Sequence, residues 1–175
     1  MLDWRKVLAI GLQILSAYEF AERHQIFHQN MTPDHVLIGQ QNQLVRINGM
    51  LVSASLASMT NPAADRNTPD HLIYRSPEQL TGLAARDLKT DLYQLGVMMY
   101  QMLSGRSPFS GQSAQQLLRE IHSTTPTRPS VFQLSVPALL EDFVLQLMSP
   151  SPERRGGSAK SVRGELERIQ LFLGA

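Results

Sequence analysis

Three histidines, an asparagine and an aspartate crowd one short stretch of this 175-residue chain: His24, His28, Asn30, Asp34 and His35. Imidazoles and carboxylates are the side chains that hold divalent metals or move protons near neutral pH. A metal site needs a third ligand at useful spacing. None accompanies His28 with His24 or His35, and there is no cysteine anywhere, so no metal site is expected. Asn30 is a carboxamide without basicity at pH 7, which leaves Asp34 as the one carboxylate between His28 and His35. Glu78, Asp91 and Arg155 lie far off in sequence. Each must be either solvated or paired, because such groups are rarely buried alone.

The elements that position these residues follow from periodicity. After Asp3, an N-cap residue type, the apolar residues Val7, Leu8, Ile10, Leu12, Ile14, Leu15, Tyr18 and Ala21 recur at helical spacing. Two β-like runs, Val36 to Ile38 and Leu44 to Ile47, flank the polar segment Gly39 to Gln43 and read as a small hairpin. From about Ser53 to Asp70 the sequence is polar and aperiodic, an irregular loop. Residues from about Thr90 to Leu103 are apolar on most of a helical circumference and stop at Ser104-Gly105, which predicts a buried central helix. Further helices are expected at Ser113 to His122, Pro137 to Met148 and Ser158 to Leu173, separated by loops that contain proline.

His28-Gln29-Asn30-Met31-Thr32-Pro33-Asp34-His35-Val36-Leu37-Ile38 resembles the catalytic loop and following strand of protein kinases, whose pattern is His-Arg-Asp-Leu-Lys-Pro-x-Asn. Later stretches extend the resemblance in the right order. Tyr74 to Leu80 resembles the Ala-Pro-Glu segment, Thr90 to Val97 the start of the family's central helix, Ser104 to Phe109 the turn after it, and Ser151 to Arg155 the Pro-x-x-Arg stretch. The resemblance covers essentially the whole chain. It implies a mainly α domain of the α+β kinase fold, the carboxy-terminal lobe with a small hairpin and without the small lobe. Its parts would be a catalytic loop at 28–35, an activation segment at about 49–78 and the central helix at about 90–103.

The same resemblance sorts the residues into two groups. Glu78 and Arg155 would form a buried ion pair, the alternative being two solvated charges. Asp91 would accept backbone N–H bonds from the loop, His28 would pack beneath it, Pro77 belongs to the Ala-Pro-Glu segment, and Gly96 would let backbones approach closely. The chemical positions depart from the pattern. Asn30 replaces the general base, an effect of about 10²–10⁴ in rate; Thr32 replaces the phosphate-contacting lysine; His35 replaces a magnesium-binding asparagine. Asn48 or Gly49, depending on a one-residue gap, replaces the magnesium-binding aspartate, and Gln29 replaces the arginine that reads a phosphorylated activation segment. A phosphate on Ser53, Ser55, Ser58, Thr60 or Thr68 would thus lack its usual partner. Asp34 takes the variable position and is expected to point away.

These departures imply a pseudokinase: no catalytic residue, no cofactor, no binding of ATP or magnesium, and a role as a protein-interaction or regulatory module rather than as an enzyme. The alternative is a kinase or nucleotide-binding half completed by a small lobe on another polypeptide, marked by an apolar patch around Met31 to Val36 and Met50 to Val52; a relic without separate function is the third reading. Sixteen Lys and Arg balance fifteen Asp and Glu, for a net charge of +1 and no block of like charges, which argues against a nucleic-acid partner. The longest apolar run is far below the roughly 20 residues that span a bilayer, and the start does not read as a signal peptide. A protein partner and a cytoplasmic location by default are the expectations.

Overall fold

The computed structural model describes residues 1–50, 69–83 and 87–175. The first helix, α1 (Trp4–Arg23), is started by the Asp3 carboxylate, which accepts the Arg5 N–H at 2.9 Å. Of its expected apolar face, Leu12 alone is only half-buried. A 3₁₀ turn at Pro33–His35 leads into β1 (Val36–Ile38), which pairs antiparallel with β2 (Val45–Ile47), Val36 opposite Ile47. Two three-residue strands are marginal alone. The Gln13 side chain of α1 clasps them, accepting the Val45 N–H at 2.9 Å and donating to the Gln43 carbonyl at 3.2 Å.

Two short helices, α2 (Pro69–Leu72) and α3 (Pro77–Leu80), precede the central α4 (Leu88–Ser104). Asp87 caps α4 by accepting the Lys89 N–H, and Gly105 ends it in the left-handed conformation at φ +66°. The helix is buried on nearly all sides, because Leu92, Tyr93, Leu95, Val97, Met98, Met99 and Tyr100 point in every direction around its axis. At Gly96 a Cβ would lie 2.8 Å from the Leu147 Cβ, so only glycine allows α4 this close to α6. The lower helices are α5 (Ala114–Ser123), α6 (Ala138–Leu147) and α7 (Ala159–Leu173). The last packs along α1: the Ala159 N–H donates to the Glu22 carboxylate at 2.9 Å, and Arg163 meets Glu19 at 3.0 Å.

The domain is mostly helical with one small hairpin, and every long helix lies within two residues of its sequence-based bounds. Periodicity missed α2, α3 and the 3₁₀ turns at 33–35, 129–131 and 152–155, which are too short to show a period. The irregular loop expected from Ser53 falls outside the described residues up to 68, as do Ser53, Ser55, Ser58, Thr60 and Thr68. Its end, 69–70, starts α2. Among the described residues no helix is long and apolar enough to cross a membrane.

Candidate functional site

The loop after α1 is suspended from α4. Asp91, in the first turn of that helix, accepts the His28 N–H at 2.8 Å and the Gln29 N–H at 2.6 Å, one on each carboxylate oxygen. Burial pushes the Asp91 carboxyl up to about 7, while the two N–H bonds pull it down. Gln29 adopts φ +63°, a left-handed conformation that costs a non-glycine residue about 1–2 kcal/mol, and these bonds hold it there.

His28 is fully buried beneath the loop. Its Nδ1 faces the Asn30 N–H at 3.4 Å, so the ring proton sits on Nε2, which donates to the Asn48 carbonyl at 2.8 Å. His35 packs edge-on against His28 with ring centroids 4.7 Å apart, and its Nδ1 lies 2.9 Å from the Thr32 hydroxyl. Asn48, directly after β2, donates its N–H to the His35 carbonyl at 2.8 Å. Gly49 follows at φ +82°, where a Cβ would come within 3.2 Å of the His35 ring. The structure therefore brings His28, Asn30, Thr32, His35, Asn48 and Gly49 together around one imidazole pair.

This set does not fit a magnesium ion, which asks for hard oxygen ligands, carboxylates above all. The group offers two imidazoles, a hydroxyl and carboxamides, and Asp34 is exposed on the 3₁₀ turn. Among the described residues no three His, Cys, Asp or Glu side chains stand close enough to share a metal.

Below the loop, α3 begins at Ser76-Pro77, with proline in the first turn where a missing N–H costs nothing. Glu78 on that helix receives Arg155 in a two-pronged pair, Nη1 to Oε1 at 2.6 Å and Nη2 to Oε2 at 2.9 Å. The remaining Arg155 donors reach the Ser149, Lys89 and Pro150 carbonyls, which satisfies all five N–H groups of a guanidinium that is 0% exposed. The guanidinium also lies over the Tyr93 ring, 4.9 Å from its centre. Burial alone would raise the Glu78 carboxyl; the Arg155 hydrogen bonds and charge outweigh it and hold Glu78 below its ordinary value.

Two residues escaped the sequence reading. Gln94, buried on α4, accepts the Met31 N–H at 2.7 Å and donates to the Gln29 carbonyl at 3.4 Å. Gln79 on α3 donates to that carbonyl at 2.7 Å and accepts from Gln94 at 3.2 Å. A glutamine inside an apolar helix is the signal that could have found the first. Of the patch expected at Met31 to Val36 and Met50 to Val52, Met31 and Thr32 are buried, and Pro33 and Val36 line a shallow apolar hollow with Ile10, Ile14, Ile38 and Met98; residues 51–52 lie outside the described residues. Further exposed apolar side chains lie on the hairpin, at Leu37 and Leu44.

Residues 2–165 match the sequence pattern of the protein kinase domain. A probable serine/threonine-protein kinase of Clostridium perfringens is 28% identical over 169 residues, which are 97% of this chain and 24% of that protein. The serine/threonine-protein kinase PrkC of Bacillus subtilis is 29% identical over 164 residues, 93% of this chain and 25% of that protein. The serine/threonine-protein kinase PknB of Mycolicibacterium smegmatis is 29% identical over 169 residues, 94% of this chain and 26% of that protein. The chain thus spans about a quarter of the length of these relatives. These relatives overturn the expectation that the chain is not an enzyme, since proteins similar over nearly all of it are named as kinases. The physical reason is that phosphoryl transfer proceeds through a loose transition state in which positioning and electrostatics outweigh proton abstraction, so replacing a general base does not by itself abolish catalysis.

Proposed function

The chain belongs to the protein kinase domain family, and on that premise we propose that it is the large lobe of a serine/threonine protein kinase domain, presenting a protein hydroxyl for phosphoryl transfer. The observation that carries this reading is the suspended loop: Asp91 fixes residues 28 and 29 through two backbone bonds, which sets the place of Asn30. A carboxamide there accepts a hydrogen bond from a substrate hydroxyl and orients it without taking its proton. The hydroxyl oxygen bonds the γ-phosphorus as the bond to the ADP oxygen breaks, and the proton leaves to the transferred phosphoryl oxygens or to solvent. No step is assigned to a metal, for which the loop side chains are unsuited. The exposed apolar side chains of the hairpin supply a surface on which a small lobe, from the same or another polypeptide, would rest.

Labelled ATP and a serine- and threonine-containing protein substrate, added to the full-length protein, test this. Transfer above the protein-free rate is expected, falling in Asn30→Ala and rising in Asn30→Asp by up to about 10²-fold as a general base is restored. Transfer that ignores both substitutions, or none at all, would sink the proposal. A second reading, a protein-interaction and regulatory role for the lobe, is favoured by the Thr32–His35 bond, which turns two loop side chains toward each other. In that case partner binding would also respond to substitutions on the loop.

A further inference from the structure

The loop is held by more than Asp91. Gln94 is 1% exposed on α4, and its amide meets one donor and two acceptors: the Met31 N–H on its oxygen, the Gln29 carbonyl and the Gln79 oxygen on its nitrogen. A backbone N–H only donates and a carbonyl only accepts, so the orientation of each amide is dictated by the backbone it touches. Gln79 repeats the arrangement from α3. Its nitrogen donates to the Gln29 carbonyl, and its oxygen accepts from Gln94 and from the Ser76 N–H at 3.2 Å. The Gln29 side chain then reaches the Asp87 carbonyl, just before α4, at 2.8 Å.

Three glutamines from three different segments thus clamp residues 29 and 31 on either side of Asn30, from the carbonyl of one and the N–H of the other. We infer that Gln79 and Gln94 are positioning residues, a neutral amide lock that fixes the backbone flanking Asn30. The lock explains how a left-handed Gln29 persists without a charged side chain at that position. It carries no titratable group of its own, so its strength is set by geometry and not by pH or by a phosphate. As a role in catalysis it rests on the kinase reading above; as a feature of the loop it does not.

Amide hydrogen exchange of the full-length protein reads the lock directly. In Gln94→Leu the Met31 amide is expected to exchange about tenfold faster or more, while amides in the middle of α7 keep their rates, as local opening predicts. Gln94→Glu keeps an acceptor for Met31 but sets an oxygen against the Gln29 carbonyl and the Gln79 oxygen, so it should restore that amide's protection only in part. Gln79→Met, in which α4 is untouched, serves if Gln94→Leu does not fold, and should loosen the Gln29–Met31 stretch alone. In transfer assays both Gln94→Leu and Gln79→Met should lower kcat about tenfold with KM for ATP unchanged, the mark of an interaction that matters in the transition state and not in nucleotide binding. Unchanged exchange in Gln94→Leu and Gln79→Met would overturn the lock. Faster exchange with unaltered kcat would overturn the positioning role. A parent protein without transfer counts against the kinase reading and leaves exchange to decide the lock.

Discussion

Glu78 and Gln79 are neighbours on the same four-residue helix, and they tie the chain together in unlike ways. Glu78 faces down to Arg155 across 77 positions of sequence and makes a charged, two-pronged contact. Gln79 faces up to the Gln29 carbonyl and makes a neutral one. The charged tie gathers a buried guanidinium whose five donors have no other outlet. The neutral tie joins amides that lose far less solvation on burial. The difference teaches that α3 joins the lower helices through a charged tie and the loop through a neutral one that adds to the Asp91 carboxylate, and that the two ties should fail differently.

The largest effect expected is at the charged tie. Arg155→Met leaves the Glu78 carboxylate without its partner and should cost about 3–5 kcal/mol, read from chemical denaturation. Adding Glu78→Leu should recover much of this, because the stranded charge is gone; a double variant as unstable as the single one would break the claim that charge is the issue. Sharpening the comparison next is Gly96→Ala, which touches neither tie. Its Cβ would meet Leu147 Cβ at 2.8 Å and Met148 Cγ at 2.9 Å, so overpacking of about 1–3 kcal/mol is expected, spread over the lower helices and the loop in exchange rates.

The smallest effect is on pH dependence, and its sign distinguishes the groups. Glu78 titrates below its ordinary value in the fold, so its contribution is complete above about 4.5 and lost as pH falls through the lowered value. Asp91 is the reverse: its carboxyl is raised from 3.8 to about 7, so the fold binds the extra proton between those values and stability declines as pH rises across them. Thermal midpoints against pH should therefore lose their acid limb in Arg155→Met and their decline between pH 4 and 7 in Asp91→Asn. A curve for Asp91→Asn that keeps the decline would mean another group causes it.

How much of this was legible in the sequence depends on the range of the interaction. Helices α1, α4, α5, α6 and α7 announce themselves through apolar spacing, and the hairpin through two β-like runs about a polar stretch, since these are local patterns. The Glu78–Arg155 pair is invisible to periodicity and entered only through resemblance, because nothing in either neighbourhood points 77 positions away. The amide lock was not read at all. Gln94 is one polar residue in an apolar helix, and its partners lie on the loop and on a helix too short to show a period. The enzyme expectation failed for another reason: it counted missing groups, whereas catalysis of phosphoryl transfer rests on where the remaining ones are held.

The contact between Glu22 and the Ala159 N–H also bears on how the chain is made. It joins positions 137 residues apart, and Leu166 of the same late helix presses on Gly11 of the first. Translation at about 5–20 residues per second puts roughly 7–27 seconds between the emergence of the two partners. Throughout that interval the flank of α1 that Leu166 covers in the finished fold waits for α7, so this part of the core closes late in synthesis.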